Sequence, residues 1–290
     1  MWVWLTLGAV LMQTFRNALQ SQLSTSVSTS GVTFARFLFA PPIALVYLLI
    51  LYSISDQIIP TFNQRFIVLV IAASLLQIAA TSCMVILFKQ KNFAVGAGLA
   101  KSEALVAGVF GTLFFSSHLS PLGWLGLLVG CAAVFVLASG GKKSELSLKT
   151  IAIGLACGTC FAFTSLLVRE ASQMLNMPFS HSAAWVLLWV LCIQTVLLSS
   201  YIWIKDKSIF ITLRHNASKT LATSFISCLG SICWFSAMAL HHVAYVKTLG
   251  QIEVLFTMLI AVFWLNNKIA KYELLGLVLI ATAAIMVMWA

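Results

Sequence analysis

The stretches LAKSEALVAG (residues 99–108) and LGQIEVLFTM (residues 249–258) each carry one glutamate inside an apolar run, Glu103 and Glu253, 150 positions apart. A carboxylate at membrane depth costs ~2.5–3.5 kcal/mol even on lenient insertion scales. In a chain with only 8% charged residues, such a group needs a partner, a proton or a water-filled cavity. The pair is the first functional clue.

Around these stretches the chain is apolar almost throughout. Hydrophobic residues are 61% of 290, and the mean hydropathy is +1.03. No soluble domain of this size hides so much apolar surface in one core, so the sequence predicts an all-α integral membrane protein. A net charge of +10 would suggest nucleic acid in a soluble chain. Here the basic residues fall mostly in short loops between apolar runs, so orientation in the bilayer explains them and no nucleic-acid partner is expected. The first fifteen residues lack a basic leader and a small-residue cleavage site, so they read as a first span. All seven cysteines lie in apolar segments, and the Cys157/Cys160 pair sits in lipid-depth helix, so neither a disulfide framework nor a metal site is expected. Phosphate loops, HExxH and Gly-x-Ser-x-Gly are missing, which predicts no catalytic residue, no cofactor and no enzyme.

Apolar runs of about 20 residues suit helices crossing ~30 Å of hydrocarbon. They fall near 2–22, 32–53, 66–88, 94–115, 121–140, 149–170, 182–204, 218–240, 243–265 and 271–289. The longest connections, DQIIPTFNQR and KDKSIFITLRHNASK, read as loops. A 150-residue shift superposes Glu103 on Glu253 and Leu125-Gly126-Leu127 on Leu275-Gly276-Leu277. The expected architecture is therefore ten transmembrane helices as two inverted five-helix repeats, residues 1–140 and 141–290. An odd span count sends the second copy in from the opposite face, and a site is expected near the midplane between the halves. Both glutamates then lie ~14–15 Å deep, at 1.5 Å per residue. Glycine stripes at Gly123, Gly126 and Gly130, at Gly154 and Gly158, and at Gly108 and Gly111 predict close helix packing.

Eleven lysines and arginines, from Lys89 to Lys271, fall in loops on the face opposite the termini, against Arg65 and Arg169 on the terminal face. That bias predicts extracytoplasmic termini.

Glu103-Ala104 and Glu253-Val254, followed by Phe115-Ser116-Ser117 and Leu265-Asn266-Asn267, then by Leu125-Gly126 and Leu275-Gly276, resemble the repeat ending of EamA-type transporters of the drug/metabolite transporter superfamily. That pattern runs Glu-Pro, an apolar stretch, Leu-Gly-Glu and a helix opening with Leu-Gly. Thr33-Phe34-Ala35-Arg36-Phe37 is similar to the Arg-Phe opening of the family's second helix. Both prolines and both loop glutamates are absent here. The resemblance implies the ten-span fold and transport, and it implies cytoplasmic termini, against the loop charges.

The candidate substrate-binding or coupling residues are Glu103, Glu253, Gln251, Gln13, Asn17, Lys101 and Trp234. The glutamates read as proton or cation sites, or as structural carboxylates bonded to a neighbouring helix. Lys101 points about 200° away from Glu103 on its helix, so it either snorkels or pairs with another helix. Gln251 occupies the position of Lys101 under the shift, which suggests a cavity wall. Gln13, Arg16, Asn17 and Gln20 form a polar stripe, with Gln13 and Asn17 facing the cavity and Arg16 reaching toward the interface. Lys247 and Arg36, close to helix starts, read as interfacial anchors. Trp234, Phe235, Phe161 and Phe163 read as packing residues or as a stacking surface. His241 and His242 read as an interfacial turn.

These residues predict secondary active transport of a small metabolite by alternating access, with protons as the coupling partner to test. The expected location is the bacterial inner membrane, in contact with lipid, as a monomer or homodimer. Mixed acidic and basic groups suggest an amino acid-like zwitterion or an amphipathic metabolite. The rival readings are a flippase for a lipid-linked substrate, an intramembrane enzyme using His241, His242 and a glutamate, and an accessory subunit with a sealed interior.

Overall fold

The computed structural model describes residues 1–89, 100–139, 148–253, 256 and 271–290, and these form helices joined by turns and short coils, with no strand among them. The helices are α1 (Trp2–Leu23), α2 (Thr29–Phe37), α3 (Ala40–Ser53), α4 (Gln64–Phe88), α5 (Glu103–Phe114), α6 (Pro121–Ser139), α7 (Leu148–Met174), α8 (Phe179–Lys205), α9 (Ser208–His215), α10 (Ala217–Leu240), α11 (Val243–Leu249) and α12 (Lys271–Met288). A 3₁₀ turn, Gly250–Ile252, follows α11. The first part of the fourth predicted span, most of the second half of the ninth, Leu265-Asn266-Asn267, and Lys91, Lys142, Lys143 and Lys268 lie outside the described residues.

Among the described residues, five helical segments are long and apolar enough to cross a membrane: Thr29–Ser53, Gln64–Phe88, Leu148–Met174, Phe179–Lys205 and Ala217–Leu240. Helix α1 is 22 residues long but falls short in apolarity, because its Gln13-Arg16-Asn17-Gln20 stripe dilutes it. That stripe belongs inside the bundle. The second span departs from expectation, because it breaks at Leu38-Phe39 into α2 and α3. Pro41 and Pro42 open α3. Proline supplies no N–H and clashes with the preceding turn, so an uninterrupted helix through this point would be costly. The Phe39 N–H freed by the break donates to Ser224 Oγ at 3.2 Å on α10.

The predicted loop between the seventh and eighth spans contains α9. Asp206 Oδ1 accepts from Ser208 N at 3.0 Å ahead of its first turn. Its buried Ile209 and Leu213 and the edge-on contact of Phe210 with Phe34, ring centroids 5.8 Å apart, hold it against α2. A Cβ on Gly31 would meet Ile209 at 3.0 Å, so α2 accepts α9 because that position has no side chain.

Three pairs dominate the packing: α4 on α7, α1 on α10 and α6 on α12. In lipid, helix association rests on close van der Waals contact and interhelical hydrogen bonds, which favours small residues at the seams. Buried Ala80 and Cys157 meet where the Cys157 thiol approaches Ala80 O at 3.3 Å. On the α6–α12 seam a Cβ at Gly126 would sit 2.8 Å from Val287 and 3.3 Å from Ala283 O. The predicted packing role of this glycine stripe is what the seam uses.

Two further interruptions position the site. Helix α5 begins at Glu103, immediately after a turn at Lys101-Ser102. The 3₁₀ turn Gly250–Ile252 immediately precedes Glu253. Each break is seated on a close approach. A Cβ on Gly158 of α7 would stand 2.7 Å from Ala100 O and 3.2 Å from Glu103 N, and one on Gly250 would stand 2.5 Å from the Trp234 ring. Glu103 thus begins a helix after a turn, where the exposed N–H groups of a helix start favour negative charge, and Glu253 directly follows the 3₁₀ turn.

Candidate functional site

Each of the two carboxylates meets a lysine from the other half of the chain. Lys101 donates to Glu253 Oε2, and Lys247 Nζ lies 3.3 Å from Glu103 Oε2. Glu103 is 7% exposed and Glu253 4%. Helix α1 completes the shell around Glu253. Gln13 Nε2 donates to Oε2 at 2.6 Å and Asn17 Nδ2 donates to Oε1 at 2.7 Å. Trp234 of α10 in turn donates from Nε1 to Gln13 Oε1 at 3.0 Å, which fixes the amide so that its nitrogen faces the carboxylate. The Lys247 ammonium stands 4.4 Å from the centroid of the Trp234 ring, within cation–π range.

This arrangement brings six of the seven candidates together: Glu103, Glu253, Lys101, Gln13, Asn17 and Trp234. Of the seven, Gln251 stands apart. Its side chain packs on Gly130, where a Cβ would collide with Oε1, and among the described residues neither end of its amide has a hydrogen-bond partner. It faces the α6–α12 side and does not line the cavity. Its register matches Lys101, but the 3₁₀ turn rotates it off the helical face that the register assumes.

Three basic residues read as interfacial are interior. Lys247 is 7% exposed, Arg16 6% and Arg36 4%. Depth counted from a helix start misplaces them, because α11 starts beneath the surface of the bundle and α2 begins at Thr29, earlier than the hydropathy suggests. Arg36 donates from Nη1 to Thr81 Oγ1 at 2.6 Å and lies 5.1 Å from the Phe37 ring centroid. Arg16 donates from Nη2 to Asn17 Oδ1 at 2.9 Å. The signal for Arg16 was available, since it sits at helical spacing within the polar stripe of α1. The likeness of Thr33–Phe37 to the family's Arg-Phe opening singles out Arg36 without placing it inside, and nothing in the local sequence marks Lys247 as buried.

A cavity of about 40 Å³ lies among these groups, with room for a few waters and not for a metabolite of ordinary pocket size. Gln13, Arg16, Arg36, Lys101, Glu103 and Lys247 supply its polar wall, and Phe161, Met84 and Trp234 much of the rest. Phe161 therefore faces the cavity, whereas Phe163 packs against Phe110 at 4.8 Å between centroids.

The histidine turn is remote from the carboxylates and behaves as a structural cap. Arg169 Nη1 donates to Met238 O at 2.6 Å and to His241 O at 2.5 Å, closing the last carbonyls of α10 with a cation. His241 stacks on Trp2 at 4.6 Å. Burial, helped by His242 and Arg169, pushes His241 down to about 4. Among the described residues no group of histidines, cysteines and carboxylates could hold a metal ion.

Residues 148–289 match the model of the EamA-like transporter family. No curated protein matches the chain. Among 28 matching chains of solved structures, one described only as a crystal structure of a protein superposes with a TM-score of 0.72 at 15% identity. The alignment covers 98% of this chain and 95% of that one, a likeness of fold alone. Residues 148–289 thus carry the sequence pattern of the EamA-like transporter family, which belongs to the drug/metabolite transporter superfamily.

Proposed function

We propose that this protein is a secondary active transporter that moves a small polar metabolite across the bacterial inner membrane by alternating access. The family is one of transporters, and the observation that carries the finer reading is the pair of crossed Lys–Glu contacts. Each joins residues from different halves of the chain, at helix interruptions 150 positions apart. Contacts of this kind have two stable outcomes, since a buried ion pair is either closed and satisfied or opened to water. With space for only a few waters in the present conformation, a metabolite enters only if helices separate.

The packing supports reading residues 1–140 and 141–290 as inverted five-helix repeats. Exchanging the halves converts the α4–α7 pair into the α10–α1 pair and returns the α6–α12 pair to itself. The partners in this reading are the substrate, lipid and protons at Glu103 or Glu253, with the loop charges setting extracytoplasmic termini.

The test is side-dependent reactivity. Ser231 lines the cavity from α10 and is 6% exposed. A Ser231→Cys variant in a background lacking the seven native cysteines is expected to react with membrane-impermeant thiol reagents from either face. Neutralising Lys101 and Glu253 together should change the ratio of the two rates. Labelling from one face only, or from neither, would overturn alternating access and favour a sealed accessory subunit.

A further inference from the structure

The charges around the cavity do not balance. Arg16, Arg36, Lys101 and Lys247 face it or pair beside it, against the carboxylates of Glu103 and Glu253. The two lysines already engage the two carboxylates. Among the described residues, neither guanidinium has a carboxylate within ion-pair distance. Arg16 is held by a neutral amide oxygen, Asn17 Oδ1, and Arg36 by a neutral hydroxyl, Thr81 Oγ1. Arg36 Nε is buried with no hydrogen-bond partner among the described residues. A buried donor of this kind is satisfied by something that comes and goes, or its charge remains costly. Guanidinium is the side chain best suited to planar recognition of a carboxylate or phosphate, because its donors form a rigid fork.

Resting on the transport reading above, we propose that the transported substrate carries a carboxylate or phosphate group that docks between Arg16 and Arg36. The crossed lysines are then not the anchor. They occupy the glutamates, which would otherwise repel an anion, and leave the arginine pair as the free positive surface. Helix α1 brings Arg16 and the Glu253 ligands Gln13 and Asn17 to one face, so an anion drawn to Arg16 pulls on the Asn17 amide that holds Glu253. Binding is thereby coupled to opening of the Lys101–Glu253 contact. The zwitterion suggested by mixed charges is narrowed to molecules in which the acidic group is the recognised one.

Purified full-length protein is titrated with succinate, glycerol 3-phosphate and, as the cationic control, putrescine, reading heat of binding and thermal stabilisation. Parallel titrations in phosphatidylglycerol and phosphatidylcholine nanodiscs separate a soluble anion from a lipid headgroup. At least one anion is expected to bind saturably and putrescine is not. Arg36→Gln and Arg16→Gln are each expected to weaken the anion at least about thirtyfold, the loss usual when one partner of a buried charge pair is removed. Arg36→Lys, which keeps charge and loses the fork, should fall between, and it carries the test if Arg36→Gln does not fold. Arginine-dependent stabilisation by phosphatidylglycerol alone supports the anion site with the headgroup as its source. Failure of every anion to bind, or putrescine binding that Glu103→Gln abolishes and the arginine variants spare, overturns the proposal. Alternating reactivity at Ser231→Cys is read separately. Access that alternates around a cation site refutes the anion and keeps transport, whereas anion binding without alternation does the reverse.

Discussion

Removing charge from Glu253 should destabilise the protein more than removing it from Glu103, because the two lysines left behind have different fallbacks. In Glu253→Gln, Lys101 loses its carboxylate, and Gln13 and Asn17, which donate at 2.6 and 2.7 Å, lose a charged acceptor. Breaking a buried pair by removing one partner costs about 3–5 kcal/mol, and the two extra charge-assisted bonds put Glu253→Gln toward the upper end. In Glu103→Gln, the Lys247 ammonium keeps the face of Trp234 at 4.4 Å, worth about 0.5–2 kcal/mol when desolvated. Its contact with Glu103 is also loose at 3.3 Å. The cost of Glu103→Gln should therefore be smaller by about 1–2 kcal/mol. Adding Lys101→Met to Glu253→Gln removes the orphaned charge, so the double variant should recover, with a coupling of at least about 2 kcal/mol. Reversible chemical unfolding in mixed micelles, followed by tryptophan fluorescence, measures the four proteins of the cycle and Glu103→Gln. Costs that add to within about 0.5 kcal/mol, or a larger loss for Glu103→Gln than for Glu253→Gln, would refute the assigned pairing.

Two further expectations concern packing and pH. Gly158→Ala places a methyl against the Ala100 carbonyl at 2.7 Å, a backbone contact that cannot swing away, so overpacking should cost about 1–3 kcal/mol in the same unfolding assay. Gly123→Ala, where the new atom would lie 2.4 Å from Tyr245 Oη, should in addition weaken the Ser120 N–H donation to that hydroxyl, 2.9 Å in the native protein. His241 is held down to about 4, below its unfolded value near 6.5, so the unfolded chain takes up the proton first. Its contribution is then complete above about pH 6.5 and is lost as pH falls toward 4. Thermal melts taken between those limits should decline less steeply for His241→Gln than for the native protein, and parallel curves would show that another group controls the acid limb.

Much of the buried polar cluster was readable one residue at a time. Glu103, Glu253, Gln13 and Asn17 were identifiable because a polar group in a long apolar run is expensive and therefore informative. The same reasoning erred for Lys247 and Arg36, because long basic side chains near a helix start ordinarily escape to the interface. Whether they do depends on what surrounds the helix end. Gln251 erred for a different reason, since a uniform helical register was assumed through what is a 3₁₀ turn. The break at Leu38-Phe39 was foreshadowed by Pro41 and Pro42, whereas α9 was hidden in a loop too short and too polar to show a span.

Residue types alone identify a helical membrane protein with two costly carboxylates 150 positions apart, because hydropathy and the cost of buried charge depend on side-chain chemistry. Which cation meets which carboxylate emerges only from the packed helices. Lys101 is two residues from Glu103 and pairs with Glu253, and Lys247 is six residues from Glu253 and pairs with Glu103. Neighbours on one helix point in different directions, and the partner is whichever group another helix brings to the same depth. That Arg16 and Arg36 meet neutral oxygens, with no carboxylate in ion-pair distance among the described residues, is likewise a property of the assembled helices, since which groups surround a buried guanidinium is set by its neighbours.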